Sequence, residues 1–190
     1  MSTGLATGYR AAVEIREYAD ADWPQVWPII AEIVRAADTF PYDPAMTEEE
    51  ARATWIEPPP AVTMVAVQDG TIVGTAKSGP NKQGPGAHIA TASYMVPARA
   101  RGLGVGRALV TCTLDWARAR GYAGLQFNAV AATNLAAIAL YERLGFELIG
   151  TIPGGFDHPS QGRVGLHIMY CPFARTGGGS GGDDGTGLTS

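Results

Sequence analysis

The chain has 190 residues, 46% of them apolar and 17% charged, with a net charge of −4 at neutral pH. That length supports one domain with a full hydrophobic core and is too short for two large ones. The mild acidity gives no general attraction to nucleic acid or to an anionic membrane, and no aromatic–basic surface pattern argues for a nucleic-acid module.

Met1 to Ala12 is small and polar and predicts a flexible leader (residues 1–12) ahead of a single domain over residues 13–175. No basic region followed by an apolar run marks a signal peptide, and no stretch reaches the length of a membrane span. The expectation is a soluble cytoplasmic protein. Cys112 and Cys171 lie in apolar surroundings without metal-ligand spacing, so buried free thiols are expected rather than a disulfide, and no metal is expected.

Val13 to Tyr18 alternates and reads as a first strand. Asp20 or Asp22 can cap the next element, a helix over Trp23 to Ala36 in which Trp27, Ile30 and Val34 recur at helical spacing. Pro28 sits early enough there to bend the helix rather than break it. Asp38 to Pro44 is a loop. Thr47 with Glu50 three residues on is a capping box, opening a short helix to about Ile56 that Pro58-Pro59-Pro60 ends.

Ala61 to Gln68 and Thr71 to Lys77 are β-rich and flank Asp69-Gly70, a hairpin signal. Ser78 to Ala87 reads as a loop, and His88 to Val96 as a long strand. Val105 to Arg120 is a helix with Val105, Leu109, Cys112 and Trp116 as its buried stripe, stopped at Gly121. Leu125 to Val130 is a strand, and Asn134 to Arg143 a helix ended by Gly145. Phe146 to Ile152 and Gly165 to Cys171 are strands joined by a loop over Pro153 to Arg163. From Thr176 to Ser190 the chain is almost wholly Gly, Ser, Thr and Asp, and is expected to be disordered.

The most informative stretch is the junction Tyr94-Met-Val-Pro-Ala-Arg-Ala-Arg-Gly-Leu-Gly-Val-Gly-Arg107. Strand, glycine loop and helix N-terminus together can hold a phosphate. The first helical turn leaves backbone N–H groups unpaired, and glycine lets that backbone approach an anion closely. Arg99 and Arg101 add positive charge at the mouth. The spacing is neither the G-x-G-x-x-G dinucleotide fingerprint nor a G-x-x-x-x-G-K-[ST] loop. Taken alone, the glycines could instead merely make a tight turn.

With the later run Asn134-Leu-Ala-Ala-Ile-Ala-Leu-Tyr-Glu-Arg-Leu-Gly-Phe146, this junction resembles the GCN5-related N-acetyltransferase superfamily, over roughly Val13 to Phe173. The resemblance implies an α/β (α+β) fold: a mixed, twisted central sheet of about seven strands flanked by helices. It implies acetyl-coenzyme A as cosubstrate. Met95 and Val96 would meet the pantetheine arm. Arg101, Gly102, Leu103, Gly104, Val105, Gly106 and Arg107 would form the pyrophosphate loop. Asn134 would bond the pantetheine, with Ala137 packing beside it.

Tyr141 corresponds to the family's usual general acid for the departing thiolate. Ordinary values of ~10 for a phenol and ~8.5 for a thiol make that transfer close in energy. The backbone N–H of Val96 is the candidate for polarising the thioester carbonyl. Neither cysteine lies where a covalent acyl carrier would be needed, so direct attack in a ternary complex is expected.

The sequence departs from the family at the base. Many relatives place a Glu on the fourth strand, whereas His88-Ile-Ala-Thr-Ala-Ser-Tyr94 contains no carboxylate. A water relay ordered by Ser93, Tyr94 or Asn128 is one substitute, and His88, His158 and His167 can titrate near neutrality. Acceptor recognition is expected from Asp38, Thr39, Phe40, Tyr42 and Asp43, from Asn128, and from Asn81 and Phe156-Asp157-His158.

Phe127-Asn128, Thr133-Asn134, Ile149 to Phe156 and His167 to Tyr170 are further similar to a branch acting on small molecules such as azetidine-2-carboxylate. The resulting expectation is acetyl transfer to a small-molecule amine, with a peptide acceptor or a non-catalytic acyl-coenzyme A sensor as alternatives. A homodimer through an exposed edge strand near Gly165 to Cys171 is also possible for this fold.

Overall fold

The computed structural model describes residues 12–174. The expected leader before residue 12 and the Gly/Ser-rich tail lie outside the described residues. In chain order the elements are β1 (Glu14–Glu17), α1 (Trp23–Ala36), α2 (Glu48–Trp55), β2 (Val62–Gln68), β3 (Thr71–Pro80), β4 (Ile89–Met95), α3 (Val105–Ala119), β5 (Gly124–Ala131), α4 (Leu135–Arg143), β6 (Glu147–His158) and β7 (Gly162–Pro172). The strands form one sheet in the order β1-β2-β3-β4-β5-β7-β6. Every neighbouring pair is antiparallel except β4 and β5. This is the expected mixed seven-stranded α/β architecture.

Two apolar layers cover the sheet. On one face α1 supplies Val26, Ile29, Ile30, Ile33 and Val34, and α2 supplies Trp55, all packed on Val65, Ile72 and Met95. On the other face Val110, Leu114 and Ala117 of α3 meet Ala90, Ala92, Leu125 and Phe127, with Ile138 and Leu140 of α4 alongside. Side-chain alternation along β4 therefore sends Ala90, Ala92 and Tyr94 toward α3 and Thr91, Ser93 and Met95 toward α1 and α2.

Local signals held where they rest on short-range chemistry. Thr47 Oγ1 accepts from the N–H of Glu50 while Glu50 Oε2 accepts from the N–H of Thr47, completing the capping box. Asp69 and Gly70 take φ of 50° and 74°, as a two-residue hairpin turn demands. Asp22 stands at the N-cap position of α1, but its side chain does not cap the helix. It receives two hydrogen bonds from Arg16, at 2.6 and 2.7 Å, and one from the N–H of Ala19, tying β1 to the turn before α1.

Three expectations need correction. Ser78–Pro80 continues β3 rather than opening a loop, pairing Ser78 with Ala92 and Pro80 with Ala90. Pro153 to Arg163 is mostly strand, because β6 and β7 form one long hairpin turned around Pro159–Gln161. Its Gly and Pro content suggested a loop, yet a strand on the sheet edge needs no N–H from Pro153, and Gly154, at φ 61°, sits in a register shift between Ile152 and Phe156. For the same reason the edge strand is β6. The segment Gly165 to Cys171 is interior, between β5 and β6, and has no free edge to pair with a second copy.

Candidate active site

The parallel pair at the centre of the sheet is short. Ile89, Ala90 and Thr91 pair with Gly124, Leu125 and Gln126, and there the ladder stops. Beyond it β4 stays with β3 as far as Met95, while β5 stays with β7, where Val130 pairs His167. The two strands thus part over Ala92–Met95, leaving backbone groups on the β5 side of β4 without a strand partner. A slot of this kind can accept an extended arm by backbone hydrogen bonds.

At the end of that slot lies the glycine loop. Gly102 and Gly104 take φ of 75° and 82°, and nothing stands within 4 Å of where a Cβ would sit on either. Gly104 leads directly into α3, which has no side-chain cap and no acidic residue in its first turn. The N–H groups of Val105, Gly106 and Arg107 consequently face outward with no intrahelical acceptor. Arg101 and Arg107 are exposed and have no ion-pair partner among the described residues. Arg99 differs from expectation. It lies 3.7 Å from Glu32 of α1, whose carboxylate also accepts from the N–H of Ala98 at 2.7 Å. Glu32 thereby anchors the loop, and Arg99 is partly committed to it. Open glycines, an uncapped helix start and free arginines fit the pyrophosphate of acetyl-coenzyme A.

Helix α4 lies beside the slot. Asn134 caps it, its Oδ1 accepting from the N–H of Ala137 at 3.4 Å, which leaves the amide NH2 to donate elsewhere. The Tyr141 ring packs 4.4 Å from Phe127, 5.8 Å from Phe146 and 6.3 Å from Tyr94. Burial raises the Tyr141 phenol well above its ordinary value. Full proton transfer to a thiolate is therefore more uphill than the ordinary phenol and thiol values imply. The phenol keeps its proton throughout the neutral range, so it can hydrogen-bond a developing thiolate.

On the α1/α2 face, beside the end of the β4–β5 pairing, is a pocket of about 170 Å³ lined by Tyr42, Glu57, Lys77, Ser78, Gly79, Pro80, Thr91, Ala92, Ser93 and Asn128. Of the anticipated acceptor and relay residues it gathers Tyr42, Ser93 and Asn128. Asn128 donates to Asn81 Oδ1 at 2.7 Å and more weakly to Thr91 Oγ1 at 3.4 Å, and accepts from Gln126.

The remaining candidates stand apart from this pocket. Asp38 accepts from Thr39. Phe40 packs between Tyr42 and Trp55, behind the lining. Asp43 accepts from the N–H of Ala45 in its own loop. Phe156 and His158 form a ring pair on the β6–β7 hairpin. His88 bonds Pro85 O, His167 bonds Thr151, and Tyr94 is turned to the opposite face with its hydroxyl on Thr113 at 2.5 Å. Tyr94 therefore cannot order water in the pocket.

Glu57 and Lys77 are pocket residues that the sequence did not single out. Trp55 explains their placement. Its Nε1 donates to Thr75 Oγ1 and its carbonyl accepts from Thr63, pinning the end of α2 to β2 and β3. Glu57, two residues on, is then held against Lys77, whose ammonium donates to Glu57 and, at 2.7 Å, to Thr54 O. The only available cue was Lys77 as a lone cation at the end of an apolar strand.

Known proteins resemble this chain in sequence and fold. Residues 16–146 match the Acetyltransferase (GNAT) family. A GCN5-related N-acetyltransferase from Kribbella flavida is 50% identical, with a TM-score of 0.83 over 85% of this chain and 98% of that one. N-acetyltransferase aca1 of Schizosaccharomyces pombe is 29% identical over 156 residues, 74% of this chain and 75% of that protein. Protein SPT10 of Saccharomyces cerevisiae is 32% identical over 85 residues, 42% of this chain but only 13% of that much longer protein. With the family match spanning most of its length, the chain belongs to the acetyltransferase (GNAT) family.

Proposed function

We propose that this protein transfers the acetyl group of acetyl-coenzyme A to the amine of a small molecule, by direct attack within a ternary complex. The observation carrying this reading is the junction of two features at Ala92–Met95. The open β4–β5 slot leads from the anion-ready start of α3 to a small polar pocket on the opposite end. Acetyl-coenzyme A supplies an activated thioester.

The protein's own groups supply the rest. The N–H groups of Val105, Gly106 and Arg107, with the Arg101 side chain, hold the pyrophosphate. Met95 and Val96 and the Asn134 amide align the pantetheine. The N–H of Val96 donates to the carbonyl oxygen as negative charge grows on it, an interaction that costs no reorganisation during the step. Tyr141 donates to the departing sulfur. Ser93 and Asn128, on the pocket wall, orient the amine or a water beside it. A pocket of about 170 Å³ has room for the amine end of a small acceptor.

The test is release of coenzyme A, by thiol detection, across small amines, amino acids and short peptides. Release with small acceptors is expected. Release with peptides alone would move the acceptor class to proteins, and tight acetyl-coenzyme A binding without release for any acceptor would make the protein a sensor.

A further inference from the structure

The pocket contains one cation and one anion on adjacent walls, and the family likeness accounts for neither. Lys77 is held firmly. Its side chain is only 17% exposed, its ammonium lies 5.8 Å from the Trp55 ring centre, and Thr54 O and Glu57 take two of its three donors. Lys77 pairs with Ser93 across β3 and β4, so both side chains share the pocket face next to the slot. Glu57 is more open, with 45% of its side chain exposed; Oε1 meets Lys77, and among the described residues no hydrogen bond is made to Oε2. Its negative charge is felt by the Tyr42 phenol, which burial and Glu57 together hold above the ordinary value. Among the described residues no other carboxylate lines the pocket, and β4 provides none.

We propose that Glu57 and Lys77 together form the acceptor site for a small amino acid bound as a zwitterion, Lys77 holding its carboxylate and Glu57 its ammonium. This rests on the acetyl-transfer reading above. A carboxylate can take the third donor of Lys77, and an ammonium the free oxygen of Glu57, so the bound amino acid completes the ion pair instead of breaking it. Glu57 then removes one proton from the ammonium. The freed nitrogen lone pair attacks the acyl carbon, the C–N bond forms and the C–S bond breaks. A second N–H proton is lost as the amide forms and balances protonation of the sulfur. The first proton passes from Glu57 to solvent.

The first test needs no variant. Coenzyme A release is compared for each amino acid, its carboxamide and its decarboxylated amine. The expected result is a preference of about tenfold to a hundredfold in kcat/KM for the free carboxylate, the scale of a hydrogen bond to a charged group. Equal or faster turnover of carboxamide or decarboxylated amine overturns the zwitterion site and leaves the acetyltransferase reading standing. No release with any amine overturns both.

Variants then separate the two roles. Lys77→Met should raise KM for amino acids far more than for the decarboxylated amines, with Lys77→Arg restoring part of the preference. Glu57→Gln should lower kcat by roughly 10²-fold or more with basic amines, the general-base scale, and much less with acceptors whose nitrogen is already neutral at the assay pH. A loss identical for both kinds of acceptor would reduce Glu57 to a structural partner of Lys77 and refute its proton-accepting role.

Discussion

Tyr141 shows what a side chain gains from its surroundings. In sequence it is one aromatic residue in a helical run. In the fold its ring is enclosed by Phe127, Phe146 and Tyr94, and that apolar cage disfavours the phenolate. A donor must be protonated to act, and a raised value keeps it so. Activity should therefore show no alkaline loss from Tyr141 up to about pH 10, the ordinary phenol value. A pH–rate profile with an alkaline limb that disappears in Tyr141→Phe would contradict this. At pH 7.5 or thereabouts the same substitution should cut turnover by roughly 10²-fold and leave acetyl-coenzyme A affinity nearly unchanged by calorimetry.

Two elements carry predictions of their own. The start of α3 would serve the proposed acetyl transfer as an anion site, because Gly104, at φ 82°, turns the chain with no Cβ over the amides. Gly104→Val forces a β-branched residue into that conformation and crowds the approach. Acetyl-coenzyme A affinity should fall at least tenfold while the circular dichroism spectrum keeps its shape, and unchanged affinity would displace the pyrophosphate from this loop.

The turn between β1 and α1 depends on Asp22, whose carboxyl is held below the ordinary range by hydrogen bonds from Arg16, partly offset by burial and aided by the N–H of Ala19. A depressed carboxyl contributes stability above its unfolded-state value, ~3.9, and that contribution is lost as pH falls through the lower folded-state value. Asp22→Asn should cost about 1–2 kcal/mol near neutrality, moderated because Arg16 is partly exposed. The gap from the unsubstituted protein should close in strongly acidic solution. A constant gap in denaturation midpoint from pH 7 to pH 2 would show that charge is not the cause.

At the scale of the whole molecule, legibility followed range. The Thr47–Glu50 capping box and the Asp69-Gly70 turn are contained within a few residues, so their local structure could be read directly. The early stop of β4–β5 pairing at Thr91 could not, because it depends on β5 following β7 instead. Glu57 and Lys77 are 20 residues apart and meet only once Trp55 has fixed α2 against the sheet. The Pro153–Arg163 segment misled because glycine and proline mark loops in general, yet both are tolerated on an edge strand. Residues of the pocket were accordingly harder to gather from sequence than those of the glycine loop. The glycine loop is local, while the pocket draws on α1's following loop, α2's end, β3, β4 and β5.

Acetyl transfer to a small amine can be read from the product itself by mass spectrometry. The full chain would be incubated with acetyl-coenzyme A and an equimolar mixture of small amines, amino acids and short peptides. One or a few small amines should become heavier by a single acetyl group, with coenzyme A formed in equal amount and no acetyl group left on the protein. Acetylation confined to peptides, or a stable acetyl-protein with no acetylated amine, would contradict it.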